Sequence, residues 1–332
     1  MPRIETRRAF YTALDPVHIG AGGHRLSRVD MTIVREPGTN LPKIPGTSLS
    51  GAARSYSALI YGRPEAAGQH LALDQEARKK PCPILYTFGT TLDTATGDAD
   101  GTAGVISIGD ARILFFPVYS RFGPVWVTTA AILEESGFAL NPAPALAQPS
   151  QTATTLSSAK GQRMNLAALL LDEPNLVAVQ NYPGSLKDSA PWKAISSRLV
   201  IVAEDLFPRI VNSNLEVRTS VSINPLTGAA QRGALFSYEA IPRATWLAGD
   251  VVQDDYHPEE KRKQWPYEKK FDGSTDLPKK WETPFDAAEA GLYHGAPWIL
   301  TRTRRTDAEA FQTVKRLAEA VGAVPREIGV ED

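Results

Sequence analysis

The chain has 332 residues, enough to bury a sizeable core in one elaborated domain or two ordinary ones. Its 36 Lys and Arg nearly balance 37 Asp and Glu, which excludes a general attraction to polyanions and requires any nucleic-acid surface to be a local basic patch. Cys82 is the only cysteine, which excludes an intrachain disulfide and any multi-cysteine zinc or iron-sulfur site, and fits a reducing compartment.

The opening MPRIETRRAF lacks the apolar core of a secretory signal, and no run reaches bilayer-spanning length, so the expectation is a soluble cytoplasmic protein. Thr6 to Ala13 reads as a first strand, followed by a glycine loop. Val29 to Val34 alternates well enough for a second strand, and EPGTNLP is a turn. A helix then starts near Thr47 or Ser48, with Leu49, Ala52, Ala53, Tyr56, Leu59 and Ile60 as its apolar stripe and Gly62 as its end. Glu65 to Gly104 is polar and irregular and reads as an exposed insertion. GVISIGDARILFFPV and FGPVWVTTAAIL return to strand character as central sheet. Phe138 to Leu156, rich in Pro, Ala, Ser and Thr, reads as a linker or flexible loop.

SRLVIVAEDLF and GALFSYEAIPRATWLAGDVV are further strands, with INPLTGAAQRG a turn between them. Gln253 to Asp286 is dense in charge and aromatics, the composition of a protrusion that contacts something. The last element is a helix opened by the T-x-x-E box of Thr306 to Glu309, with Phe311, Val314, Leu317 and Val321 on one face. Strands, single helices and insertions in this order predict an α+β fold with helices on an antiparallel sheet.

Gly20, Gly22 and Gly23 allow the close backbone approach that suits amides wrapped around a phosphate, but neither the P-loop nor the dinucleotide spacing is present. Alone, such glycines favour a tight connection; His24, Arg25 and Arg28 add cationic or titratable groups to the loop. Asp30 reads either as a carboxylate bonding a turn amide or as one held beside a phosphate, ligating a divalent cation or orienting a hydroxyl. His18 could assist proton transfer or serve as a structural hydrogen-bonder. Pro45 and Gly46 lead sharply into a helix whose free amides attract anions, with Thr47, Ser48 and Ser50 adding hydroxyls and Arg54 four residues beyond Ser50 on the same face. The other reading is an ordinary capped helix with a solvated arginine. Tyr238 and Glu239 are adjacent, so a strand sends them to opposite faces; Glu239 is a second candidate acid or base.

HIGAGGHRLSRVDMTIVRE, LPKIPGTSLSGAARS, ISIGDARILFFPV followed by WVT, and SINPLTGAAQRGALFSYEAIPRAT occur in this order and touch most of the chain up to about Thr245. Together they resemble the RAMP superfamily of CRISPR proteins, and within it the repeated backbone subunit of type III-B (Cmr) effector complexes. The resemblance implies a ferredoxin-like or RRM-like palm forming one domain over the whole chain, with a finger insertion at 63–104 and a thumb protrusion at 246–286. It implies copies stacked as a filament along a guide RNA, beside other type III effector subunits. Ser48, Ser50 and Arg54 would hold the guide backbone, and Gly22, Gly23, Arg28, Lys43 and Arg243 would complete the RNA-facing set. The thumb would push between bases where guide pairs with target RNA. The cleavage aspartate falls on Asp30, with His18, Tyr238 and Glu239 as its neighbours. Cutting of the paired target at regular intervals would depend on a divalent cation at Asp30, magnesium or, alternatively, manganese.

Two features depart from the family pattern: Ser50 stands where a basic residue is common, and AVGAVPREIGVED replaces a glycine-rich loop near the RNA. Two other functions compete: a guide-binding subunit without cleavage, and a guide-processing enzyme working without metal or filament.

Overall fold

The computed structural model describes residues 4–22, 29–61, 66–68, 82–90, 101, 103–223, 228–256, 297–302, 312, 315–316 and 324–329, with main chain only at 231–233, 297–302 and 324–329. The chain divides into two compact units, one of residues 7–45 and 109–250, the other of residues 1–6, 46–108 and 251–332.

The first unit carries the main sheet. Its strands run in the order Ile4–Thr12, Trp246–Asp254, Ala111–Ser120, Gly123–Thr129, Leu199–Val202, Ala153–Thr154 and Asn175–Leu176, with Lys43–Ile44 also paired to Ala111–Ser120. Ala111–Ser120 and Gly123–Thr129 form an antiparallel hairpin, whereas Leu199–Val202 pairs parallel to Gly123–Thr129 and antiparallel to Ala153–Thr154. The sheet is therefore mixed, and its central strands are buried along nearly their whole length, as sheets covered on both faces are.

Short helices pack around it. Ala130–Glu135 starts where the Thr129 hydroxyl accepts the amide of Ile132, and Ala190–Ile195 starts where Ser189 does the same for Trp192. The AAIL stretch, read as a continuation of sheet, is thus a capped helix. An aromatic cluster fills the core: Phe115 stacks on Trp192 at 5.7 Å and meets Phe138 and Trp246 edge-on. Truncating a buried aromatic of this kind costs about 3–5 kcal/mol.

Phe138 belongs to this core, and Ala153 and Thr154 lie inside the sheet, so Phe138 to Leu156 is no linker. Its small and hydroxylated residues instead pack tightly: the Thr154 hydroxyl donates to the carbonyl of Leu199 at 2.7 Å. The expected strand Val29 to Val34 is also corrected. The segment is extended, but its residues bridge singly to different neighbours, Met31 to Tyr238, Ile33 to Gly20 and Arg35 to Pro42. Divided between partners, it forms no ladder, and Met31 stays exposed while Val29 and Ile33 are buried.

The second unit contains the helix Gly46–Ile60, the helix Pro83–Phe88 and the strand Ile106–Ile108 paired with Val251, Val252 and Gln253. The long helix begins at Gly46, so Thr47 and Ser48 lie in its first turn. Its buried residues are Gly46, Arg54, Ser57 and Ala58, while Tyr56 and Leu59 of the expected stripe are 41% and 56% exposed. Ala58 packs instead with Ala66, Cys82 and Ile84, small residues that bring the helix close to its neighbours. Of the expected protrusion at 246–286, the start is core strand, with Trp246, Leu247 and Val251 buried; residues 257–286 lie outside the described residues. Most of the finger segment and of the helix after Thr306 lies outside them too, although Gln312, Lys315 and Arg316 are helical. Among the described residues no helix is long and apolar enough to cross a membrane.

Candidate active site

The strand Ala230–Ala240 organises the site. Glu216–Ile223 pairs along one edge, with Arg218 opposite Tyr238 and Val217 opposite Glu239. On the other edge Met31 donates its amide to the carbonyl of Ser237 and accepts that of Glu239. The chain before the glycine loop also docks here, through reciprocal main-chain bonds between Val17 and Ile241. Residues far apart in sequence, His18, Asp30, Tyr238 and Glu239, are thereby gathered at one end of one strand.

Asp30 is exposed, but its carboxylate is not loose. Its Oδ2 accepts the main-chain amide of Ser237 at 2.6 Å and the Ser237 hydroxyl at 2.9 Å. The Asp30 amide in turn donates to Ser237 Oγ at 3.3 Å. Hydrogen bonds to the charged form, the Ser237 amide first and its hydroxyl second, hold the Asp30 pKa below the ordinary value near 3.8. Asp30 thus bonds an amide, as the first reading has it, though on a strand 207 positions away, and its Oδ1 has no hydrogen-bond partner among the described residues.

His18 places Nδ1 2.6 Å from the carbonyl of Glu239, so Nδ1 carries the proton of the neutral ring and Nε2 its lone pair. Nε2 is buried without a partner among the described residues, facing the open Cβ position of Gly20 at 3.5 Å. The ring stands edge-on to Tyr238, with centroids 5.1 Å apart, and Tyr238 continues to Phe236 at 6.1 Å. The opposite face of the strand carries Glu239, whose Oε2 accepts Arg35 Nη2 at 2.9 Å and the amide of Ile33 at 3.3 Å. Arg35 also donates to Asn212 Oδ1 at 2.9 Å and to the Ile33 carbonyl at 3.2 Å. At 13% and 15% side-chain exposure this ion pair is nearly dry and clamps the 31–35 segment to the strand.

The remaining candidates scatter. Gly22 takes the positive φ of +68° that its residue type permits, with nothing near its Cβ position. Gly23 and Arg28 lie outside the described residues. Lys43 forms an ion pair with Asp110, and Arg243 is exposed. Ser48 is exposed and Ser50 half-buried on the long helix. Arg54 is neither solvated nor at the surface: it is 8% exposed, and its guanidinium donates to the carbonyls of Ala66 at 2.9 Å and Gly89 at 3.1 Å. Nothing in local spacing marks Ser237, Arg35 or Asn212, because their partners come from elsewhere in the chain; the only signal was that Ser237 immediately precedes Tyr238 and Glu239.

A cleft of about 450 Å³ in the same unit is lined by Arg8, Glu36, Asp110, Arg112, Glu135 and Asp250 over an apolar floor. Its charges answer one another: Arg8 holds both oxygens of Asp250, and Arg112 bonds Glu36 at 2.9 Å and approaches Glu135. No group of three or more potential metal-ligating side chains occurs among the described residues. A magnesium-type ion at Asp30 would therefore take most of its shell from other oxygen donors than the described side chains, such as RNA phosphates and water.

Comparison with known proteins converges on one family. The model of the RAMP superfamily matches residues 10–292. The CRISPR system Cmr endoribonuclease Cmr4 of Pyrococcus furiosus is 30% identical over 247 residues, covering 70% of this chain and 76% of that protein. Among solved structures, a chain of the type III-B Cmr-beta complex bound to cognate target RNA superposes with a TM-score of 0.51 at 16% identity, over 78% of this chain and 87% of its own. The mixed sheet with few helices is the palm fold of that family, and the chain belongs to the RAMP superfamily as a homologue of Cmr4.

Proposed function

We propose that this protein is a guide-RNA-binding backbone subunit of a type III-B CRISPR effector complex and cuts the target RNA paired to that guide. The observation that carries the reading is Asp30: an exposed, ionised carboxylate anchored through one oxygen to Ser237, the residue before Tyr238, in a homologue of a protein named as an endoribonuclease. Copies of the chain would stack along the guide with other subunits of the complex, spacing the cuts regularly.

The chemistry follows from charge and orientation. A ribose 2′-hydroxyl attacks the neighbouring phosphorus poorly unless its proton is drawn away and the nonbridging oxygens are neutralised. Asp30 Oδ1, open to solvent, can accept a hydrogen bond from that hydroxyl or help hold a divalent cation. Such a cation, magnesium or manganese, would neutralise phosphate charge and lower the pKa of a bound water or hydroxyl. His18 has its tautomer set by the Glu239 carbonyl and its Nε2 buried, so its part is to support the Tyr238 ring edge-on. The Tyr238 and Phe236 rings offer faces on which a displaced base could stack. Glu239 acts here as an anchor through Arg35, holding the segment that carries Asp30.

The test is cleavage of a labelled, guide-complementary RNA by the reconstituted complex with magnesium, comparing native chain with Asp30→Asn at matched assembly. Evenly spaced products that vanish in the variant support the reading. Unchanged cutting moves catalysis elsewhere, and no cutting by either complex leaves a guide-holding scaffold. Metal-free cutting of precursor guide RNA by the isolated chain would favour a processing enzyme.

A further inference from the structure

We infer that Ser237 is a positioning residue for Asp30: its hydroxyl and main-chain amide grip Oδ2 and thereby aim Oδ1 at the RNA. The inference rests on the proposed cleavage role of Asp30 and adds a residue to it.

The hydrogen-bond directions leave little choice. Ser237 Oγ lies 3.3 Å from the Asp30 amide, which can only donate, so the hydroxyl accepts there. Its own proton is then free to point at Asp30 Oδ2, 2.9 Å away. The hydroxyl is thus oriented by the residue whose carboxylate it holds. The Ser237 amide adds a second donor to the same oxygen at 2.6 Å. Two donors converging on Oδ2 restrict the side-chain torsions of Asp30 and occupy that oxygen, leaving Oδ1 as the one without a protein donor among the described residues.

The backbone supports the same geometry. Met31, next to Asp30, bonds Ser237 and Glu239 through its main chain, so the amide of Ser237 is held at a fixed distance from the Asp30 Cα. A carboxylate on an exposed turn otherwise samples several rotamers. Holding it in one conformer matters where, among the described residues, no cluster of three or more ligating side chains shares the task of fixing the geometry. The amide donor survives any side-chain replacement, so the hydroxyl alone should account for a partial loss.

The decisive comparison is Ser237→Thr with Ser237→Val in the guide-loaded complex. The two side chains are nearly isosteric and both suit a strand, so they differ essentially in the hydroxyl. Groups that orient a metal ligand are worth about 10- to 100-fold in activity or metal affinity, and the retained amide places the expected loss for Val near the lower figure, about tenfold. Thr should stay within about twofold of the native chain, by the same scale. A second readout needs no turnover: Mn2+ binding followed by electron paramagnetic resonance, with a target carrying 2′-deoxy residues at the cut sites. The increment in bound Mn2+ between native and Asp30→Asn complexes should persist in Thr and weaken in Val.

Val and Thr equal to native in both readouts would overturn the inference while leaving Asp30 as the cleavage residue. Val and Thr equally impaired would also overturn it, because shape and not the hydroxyl would then matter. Should Asp30→Asn itself cut normally, the cleavage reading fails, and the inference with it.

Discussion

Replacing Arg54 with methionine separates an RNA contact from a structural pin. The resemblance to RAMP backbone subunits placed this arginine on the guide, yet its guanidinium is buried against the main-chain carbonyls of Ala66 and Gly89, residues that are themselves buried. Methionine keeps most of the apolar stem and removes both donors. A hydrogen bond from a charged group contributes about 1.5–3 kcal/mol, and some relaxation around the shorter side chain is inevitable, so the expected destabilisation is about 3 kcal/mol. For a unit of this size that lowers the melting temperature by roughly 6–12 °C. The assay pairs thermal unfolding of the subunit with guide-RNA affinity over a range of salt, at a temperature where the variant is folded. Each lost phosphate contact on single-stranded RNA flattens the salt slope by about 0.7. The expected outcome is a lower melting temperature with an unchanged slope. An unchanged melting temperature with a flattened slope would refute the structural assignment and return Arg54 to the RNA.

The nearly dry Arg35 and Glu239 pair should show strong coupling. Arg35→Met alone strands a carboxylate and is expected to cost about 2–4 kcal/mol, while the double variant with Glu239→Gln should cost less than the sum by about 1–2 kcal/mol in denaturant unfolding; strict additivity would count against the clamp. Since Ser237 depresses the pKa of Asp30, this carboxylate stays ionised as pH falls and is protonated only below the ordinary 3.8. Carboxyl 13C titration, with the resonance assigned by its loss in Asp30→Asn, should give a midpoint under that value, and one above it would contradict the Ser237 contacts. Gly104→Ala would push a Cβ into the Thr87 carbonyl oxygen and to 2.6 Å from the Phe88 carbonyl carbon, so it should destabilise by about 1–3 kcal/mol in thermal unfolding; a neutral result would mean that this backbone approach is looser than observed.

The sequence by itself determined the class and the cast. Runs such as ARILFFPV and LVIV are apolar enough to be central strands wherever they are placed, and the helix after Pro45 follows from local turn chemistry. His18, Asp30, Tyr238 and Glu239 stood out because their side chains carry chemistry and their segments resemble a known family. What tertiary structure alone decided is which groups are free to act. The stripe on the Gly46–Ile60 helix differs from its expectation because small Ser57 and Ala58 are the buried residues, Ala58 packing on Ala66, Cys82 and Ile84, while large Tyr56 and Leu59 stay exposed. Phe138 to Leu156 looked like a linker because composition cannot register that Ala153 and Thr154 slot between strands. Arg54 and Glu239 look alike in sequence as exposed charges, yet one is fastened to carbonyls and the other to Arg35. Asp30 acquires its partner Ser237 from 207 positions away. Hydrogen bonds and burial depend on distance in space, and only the tertiary fold brings residues so far apart in sequence into hydrogen-bonding range.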